Sequence, residues 1–312
     1  MADIDFGSSN HEDKPKEEDN SIVLSSSDVS SSIQDERSGL SIEEIKDPNK
    51  IRVEVVDKET PVIVLFGPPS CGKTMTLVRL TRYLQGKNYT VQPITSFRPS
   101  YDSHYSQMCN DFNSMINSDN AAESTSKINF MLVKVLKGGK PICQILEGPG
   151  EEYIDPKDPT RLFPKFVYSI INSENRKIWA IMVVPDDRNM RMDNDFRMNY
   201  VTKIHDLKKR LKPTDKVVFI FNKIDKTELV LSPGVINYRY ALKEVSDLYR
   251  NVFVPFKNNN PITKLWKENN FDFVGFQTGD FPKAADGTVT FEQGPDEYPY
   301  KLWEIFLKCI RG

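Results

Sequence analysis

The segment Gly67–Thr74 has the residue types and the spacing of a loop that holds phosphate groups. Its eight residues are Gly67, Pro68, Pro69, Ser70, Cys71, Gly72, Lys73 and Thr74. In this spacing the glycines let backbone N–H groups close around the α- and β-phosphates of a nucleotide. Lys73 can reach the β- and γ-phosphate oxygens, and the Thr74 hydroxyl can ligate Mg²⁺. The pattern therefore predicts a site for a nucleoside triphosphate.

The elements expected on either side of this loop support that interpretation. Val62–Phe66 is a short apolar run rich in β-branched residues, which is typical of a buried strand. After the loop, Leu77, Leu80 and Leu84 recur at helical spacing, and Gly86 is a suitable end for the helix. A helix that begins at the loop directs the positive end of its dipole toward bound phosphate.

The composition indicates a soluble, cytoplasmic protein. The chain has 312 residues, a net charge of −2 and 28% charged residues. No apolar run approaches the ~20 residues needed to cross a bilayer, so we expect no transmembrane segment. The N-terminus lacks the pattern of a secretory signal. The four cysteines have no metal-ligand spacing and are expected to be reduced thiols.

Charge and composition divide the chain into two parts. Residues 1–50 contain 13 acidic and 5 basic residues, so the remainder is weakly basic. Because that remainder has no dense Lys/Arg block, no nucleic-acid binding is expected. Residues 1–45 are acidic, serine-rich and poor in aromatics, which predicts a disordered tail. Residues 46–312 are expected to form one domain.

Apolar patterning in this domain predicts strands that alternate with helices. The alternation in Ile51–Val56 predicts an edge strand, and Gly138-Gly139 joins two strand-like runs as a hairpin. Further strands are predicted at 178–184, 217–221 and 271–276, and helices at 101–116, 161–171, 193–211, 237–250 and 300–310. The predicted fold is α/β, with a mostly parallel central sheet, one antiparallel edge strand and helices on both faces.

A second motif, Asn222-Lys223-Ile224-Asp225, follows one of the predicted buried strands. The carboxylate of Asp225 can accept hydrogen bonds from N1–H and the exocyclic amine of guanine. Adenine lacks both donors and would leave the carboxylate unpaired, which a buried site penalises strongly. Asn222 can brace the phosphate loop, and the aliphatic stem of Lys223 can cover one face of the base. Ligands of such sheets bind at the carboxyl ends of the strands, so both motifs are expected in one site.

With these motifs the chain resembles a divergent Ras-like small GTPase of the TRAFAC superfamily, over roughly 61–310. The phosphate loop matches the first family motif, and the Asn222–Asp225 segment matches the fourth. Glu147-Gly148-Pro149-Gly150 takes the place of the third motif, Asp-x-x-Gly. Thr278 and Gly279 fall where the fifth motif should be. The family's spacing points to Thr125 as the second motif, with Ser124 and Ser126 adjacent to it.

The resemblance implies a role for each of these residues. Thr74 and Thr125 would ligate Mg²⁺, and Glu147 would act on the metal through a water. Thr125 would also sense the γ-phosphate, which the backbone N–H of Gly150 would contact. Loss of that phosphate would release the loops at about 96–126 and 148–162, as in a nucleotide switch. The implied cofactors are GTP or GDP and Mg²⁺.

Three departures from the family pattern bear on activity. Glu147 replaces Asp, and Glu151 stands where many members carry the glutamine that orients the attacking water. The region 96–126 is enlarged and contains the helix predicted at 101–116, a candidate surface for a protein effector or regulator. We therefore expect a GTPase with slow hydrolysis that acts as a switch. The alternatives are a pseudo-GTPase that serves as a docking or assembly module, and a P-loop ATPase.

Overall fold

The structure, a computed structural model, describes residues 40–117, 130–154, 158, 160–185, 193–260, 268–280, 282 and 291–312. The described helices are α1 (Ile42–Lys46), α2 (Lys73–Gln85), α3 (Ser103–Ile116), α4 (Gly150–Tyr153), α5 (Lys165–Asn172), α6 (Asn194–Lys208), α7 (Tyr238–Leu248) and α8 (Glu297–Arg311). The described strands are β1 (Val62–Phe66), β2 (Tyr89–Pro93), β3 (Met131–Lys137), β4 (Lys140–Glu147), β5 (Lys177–Val183), β6 (Lys216–Phe221), β7 (Val230–Ser232), β8 (Val235–Ile236) and β9 (Asp272–Gly275). Within these residues no helix is long and apolar enough to pass through a membrane.

Seven strands form one sheet in the order β2-β3-β4-β1-β5-β6-β9, and β7 and β8 form a separate hairpin. The pairs β4–β1, β1–β5, β5–β6 and β6–β9 are parallel. Strand β3 is antiparallel to both β2 and β4. The predicted α/β fold with a mostly parallel sheet is confirmed. The antiparallel β3 lies one position in from the edge, because β2 pairs with its outer side.

The two central strands β1 and β5 are buried along their whole length and are apolar except for Lys177, the first residue of β5. A parallel strand covered by helices on both faces has no exposed side, so its residues do not alternate between apolar and polar. The carboxyl ends of β1, β4 and β6 therefore meet at one edge of a rigid sheet.

The prediction of an edge strand at Ile51–Val56 is wrong. This segment belongs to none of the described strands, although Glu54 N donates to Phe97 O at 2.9 Å. The edges of the described sheet are β2 and β9 instead, and a single backbone hydrogen bond to the 3-10 turn Thr95–Phe97 does not make a ladder. The predicted helix at 161–171 begins later than expected, at Lys165, because Pro164 is its N-cap.

A buried ionic cluster joins the N-terminal helix α1 to the start of the enlarged 96–126 region. Arg98 is only 4% exposed. Its Nη2 lies 2.7 Å from Glu44 Oε1 on α1, and its Nε donates to Asp102 Oδ2 at 2.9 Å. Asp102 is also the N-cap of α3 and accepts a bond from Tyr105 N at 2.9 Å. Residues 40–46 thus pack on the body of the protein, whereas residues 1–39 of the predicted tail lie outside the described residues.

Candidate functional site

The phosphate loop connects β1 to α2, as its sequence predicts. Gly72 is the N-cap of α2 and has a φ of 93°, a conformation that favours glycine. A Cβ built on Gly72 would lie 2.4 Å from Asn222 Nδ2 and 3.1 Å from Thr278 Cγ2. The absence of a side chain at Gly72 is therefore what lets three predicted site segments come together.

Lys73 and Asn222 fix the shape of this loop. Lys73 Nζ donates to the carbonyl oxygens of Gly67 at 3.1 Å and Pro68 at 3.0 Å. Asn222 Nδ2 donates to Cys71 O at 2.7 Å, which is the bracing contact expected from the sequence. Burial raises the pKa of the Cys71 thiol, so this group within the loop stays neutral.

Thr74 and Glu147 meet at the end of the loop, where the sequence predicts a metal ligand and its neighbour. The Thr74 hydroxyl donates to Glu147 Oε1. Glu147 is 1% exposed, and among the residues that the structure describes its Oε2 has no hydrogen-bond partner. Burial raises the pKa of Glu147 to about 7, and the charge of Lys73 opposes that rise. An unpartnered buried carboxylate oxygen beside a hydroxyl offers the hard oxygen donors that Mg²⁺ prefers.

No cluster of three or more His, Cys, Asp or Glu side chains that could hold a metal ion occurs in the described part of the chain. A dedicated all-protein metal site is therefore not found there. Mg²⁺ at nucleotide sites is commonly held by one or two protein groups together with phosphate oxygens and water. The donors that Thr74 and Glu147 provide fit that arrangement.

The segment after β4 lies directly against the phosphate loop. Helix α4 begins at Gly150, and a Cβ built there would be 2.5 Å from Pro69 N, 2.6 Å from Pro68 C and 2.8 Å from Lys73 Nζ. Such distances to backbone atoms leave no room for any larger residue at this position. Glu151 is exposed at the mouth of the site.

The predicted base-recognition segment follows β6. Lys223 has a φ of 55°, and Asp225 lies in the short 3-10 turn Ile224–Lys226. The Asp225 carboxylate lies 3.3 Å from Lys226 Nζ and is 18% exposed. Ile224 N donates to Phe276 O at 3.1 Å, which ties this turn to the loop that carries Thr278 and Gly279.

These segments enclose a cavity of about 390 Å³. Its wall consists of Pro69, Ser70, Gly72, Lys73, Thr74, Met75, Glu147, Gly148, Pro149, Gly150, Glu151, Lys223 and Thr278. The other predicted site residues are close by in the fold but do not form the wall, namely Gly67, Pro68, Cys71, Asn222, Asp225 and Gly279. Thr125, together with the adjacent Ser124 and Ser126, lies outside the described residues.

Sequence reasoning missed several residues of the site. Met75 and Pro149 contribute to the cavity wall, and they could have been found as direct neighbours of predicted residues. Tyr153 is buried, and its hydroxyl would lie 2.1 Å from a Cβ built on Gly148. Arg79 is buried on α2 and contacts the loop after β9. Neither Tyr153 nor Arg79 belongs to a motif that would have pointed to it.

Comparisons with known proteins add little to this geometry. No family model matches the chain, and no curated protein matches it. Among solved structures it is similar to a Plasmodium falciparum protein provisionally described as nucleolar GTP-binding protein 1. The two are 12% identical, with a TM-score of 0.38, and the match covers 82% of this chain and 89% of that one.

Proposed function

We propose that this protein binds guanine nucleotide and hydrolyses GTP slowly with Mg²⁺, as a nucleotide-controlled switch toward a protein partner. One observation carries the proposal. The side chain of Asn222, from the segment with the guanine-type carboxylate, donates to Cys71 O within the phosphate loop at 2.7 Å. Contacts suited to a base and contacts suited to phosphates are thereby held at a fixed separation on one edge of the sheet.

In this proposal each end of the nucleotide has its own contacts. Backbone N–H groups of the loop and of the first turn of α2 bind the phosphates, which lie at the positive end of the helix dipole. Lys73 transfers its hydrogen bonds from the Gly67 and Pro68 carbonyls to the phosphate oxygens. Asp225 accepts the N1–H and N2–H donors of guanine. Mg²⁺ held through Thr74 would offset the negative charge of the phosphate oxygens.

Slow hydrolysis follows from Glu151. This residue follows Gly150, where the family resemblance places the group that orients the attacking water. A carboxylate at that position repels the γ-phosphate, and it cannot donate a hydrogen bond to it. We therefore expect a turnover well below the roughly 1 per second of typical phosphoryl-transfer enzymes.

The decisive test is a titration of nucleotide-free protein with fluorescent GTP, GDP and ATP analogues, with and without Mg²⁺. Wild-type protein should bind the guanine nucleotides selectively. Asp225→Asn should weaken GDP binding on the order of 100-fold or more and shift preference toward xanthine nucleotides, which offer a matching acceptor. The control is Asp247→Asn, which removes an exposed carboxylate paired with Lys243 at 2.6 Å. Preferred binding of ATP would contradict the proposal and favour a P-loop ATPase.

A pseudo-GTPase that serves as a docking module is the second candidate. It is favoured by the close packing of Gly150, where a built Cβ would be 2.6 Å from Pro68 C, 2.5 Å from Pro69 N and 2.8 Å from Lys73 Nζ, the group proposed to bind the γ-phosphate. On this alternative the protein holds GDP or no nucleotide and does not turn over. GTP turnover that is lost on Lys73→Ala would rule it out.

A further inference from the structure

Arg79 is a buried charge that the proposed nucleotide contacts do not use. It lies on α2, on the same helix that begins at Lys73, and is 1% exposed. None of the ion pairs found among the described residues includes Arg79. Burial lowers the pKa of its guanidinium to about 10, against the opposing charges of Asp296, Asp225 and Asp280. A buried charge is costly unless it is paired or hydrogen-bonded, so the burial of Arg79 depends on its hydrogen-bond partners.

The hydrogen bonds of Arg79 go to two carbonyl oxygens that are remote in sequence. Nη1 donates to Gln277 O and Nη2 donates to Pro295 O. The guanidinium also lies over two aromatic rings, 5.6 Å from the centroid of Phe276 and 5.8 Å from that of Tyr298. Arg79 therefore joins the helix after the phosphate loop to the loop after β9 and to the start of α8.

The loop held in this way is the one that carries Thr278 and Gly279. Phe276 N donates to Phe221 O at 2.9 Å at its beginning, and Asp280 N donates to Glu292 O at 2.8 Å at its end. Between these two points, the Gln277 carbonyl is fixed by Arg79. Thr278 in turn reaches Gly72 of the phosphate loop, as the 3.1 Å distance to a Cβ built on Gly72 shows.

We propose that Arg79 is a positioning residue for base recognition, which sets guanine selectivity by holding the Gln277–Asp280 loop at a fixed distance from the phosphate loop. This inference rests on the proposed function of guanine-nucleotide binding. In this role Arg79 acts through the loop and not through contact with the nucleotide. Its loss should loosen the base contacts and leave the phosphate contacts in place.

The test compares Arg79→Met and Arg79→Lys with the matched control Arg176→Met. Arg176 also donates to a backbone carbonyl of α8, that of Ile310. It directly precedes β5, however, and so lies at the amino ends of the strands, away from the candidate site. Each variant is titrated with GDP, with IDP, which lacks the N2 amine, and with inorganic tripolyphosphate. Hydrogen exchange of the Asp280 amide in the nucleotide-free protein measures directly how often the Gln277–Asp280 loop opens.

Arg79→Met should lower the preference for GDP over IDP about tenfold, the effect of losing one well-placed hydrogen bond. Binding of tripolyphosphate should change less than about twofold, and the Asp280 amide should exchange faster. Arg79→Lys keeps the charge but can donate to only one of the two carbonyl oxygens. Its preference for GDP over IDP should therefore lie between those of wild type and Arg79→Met. Arg176→Met should lose thermal stability without any change in selectivity.

Two results would overturn the role of Arg79 while leaving the proposed function intact. One is a wild-type preference for GDP that persists in Arg79→Met. The other is an equal loss of GDP and tripolyphosphate binding, which would indicate general damage to the site. Wild-type protein without affinity for guanine nucleotides would instead overturn the proposed function and the selectivity role together.

Discussion

The two halves of the candidate site differ in how far their polar groups are already engaged. In the phosphate half, Lys73 Nζ holds two carbonyl oxygens of its own loop, the Thr74 hydroxyl donates to Glu147, and Gly150 fills the space beside them. In the base half, Asp225 is partly exposed and is paired at 3.3 Å with the exposed Lys226. On the proposed function, the phosphate half has to exchange its present hydrogen bonds when a ligand binds. The base half can accept a ligand without such an exchange of buried contacts.

This difference suggests that the affinity for a nucleotide and the selectivity for its base depend on different halves of the candidate site. On the proposed function, the contacts that Lys73 makes within the loop would be replaced by contacts to phosphate, so only the surplus would contribute to binding. Asp225 would lose little on binding a base, because its present partner is a surface lysine. We therefore expect the base half to determine which nucleotide binds. The phosphate half should determine how fast the nucleotide binds and which protein contacts change on binding.

Of the four variants that test this difference between the halves, Lys73→Ala should have the largest effect. Removing the ammonium group deletes a charge-assisted contact to the β- and γ-phosphates, and GTP affinity should fall by roughly 100-fold. Affinity for guanosine, which has no phosphate, should stay within about twofold. Isothermal titration calorimetry with GTP and with guanosine measures the two changes in affinity. Lys243→Ala, on the exposed face of α7, is the control. Equal losses for the two ligands would show that the halves are not separable.

Asn222→Ala should produce the next largest effect, because its amide links the halves. Its Nδ2 bond to Cys71 O is buried, and an unpaired buried carbonyl costs about 1–3 kcal/mol. GTP and guanosine should both bind about tenfold more weakly, and the melting temperature should fall. Asn113→Ala, at an exposed position of α3, is the control. A loss confined to GTP would mean that Asn222 serves the phosphate loop alone.

Gly150→Ala tests the crowding of the phosphate half. A Cβ only 2.5 Å from Pro69 N forces α4 away from the loop, so the free protein should be destabilised by about 1–3 kcal/mol. Since the space beside Lys73 is then open, GTP should associate several times faster, which stopped-flow fluorescence measures. Gly86→Ala is the control, because Gly86 has a φ of −64° and a Cβ built there comes no nearer than 3.5 Å to another atom, the carbonyl oxygen of Tyr83. A slower association would show that the contact made by Gly150 does not block the site.

The smallest effect is expected from Tyr153→Phe. Within the described part of the chain the buried Tyr153 hydroxyl has no hydrogen-bond partner, while its ring packs against Phe66 with centroids 4.8 Å apart. Removing the hydroxyl should change the free energy of unfolding by less than about 0.5 kcal/mol. Chemical denaturation without nucleotide measures this. A loss of GTP affinity at unchanged stability would show that the hydroxyl acquires a partner when nucleotide binds.

The sequence predicted the features that depend on local pattern. The apolar run Val62–Phe66 and the motifs at the ends of β1 and β6 lie where buried parallel strands require them. The strand expected at Ile51–Val56 failed because alternation describes one segment and says nothing about a free partner. Arg79 was not found because its burial depends on Gln277, 198 residues further along the chain. Contacts of that separation leave no local trace in composition or spacing.

The ionic cluster around Arg98 has a practical consequence for where the folded unit begins. Leu40 is buried, and Glu44 supplies one of the two carboxylates that satisfy the Arg98 guanidinium. A shortened chain that starts at Asp47 would keep every nucleotide motif, but of the two carboxylates only Asp102 would remain on this guanidinium, beside the Arg52 carbonyl oxygen at 3.2 Å. Removing one partner of a buried charge costs about 3–5 kcal/mol, a large part of the stability of a typical domain. Deletion of the acidic tail is therefore expected to be tolerated up to Leu40, and not beyond it.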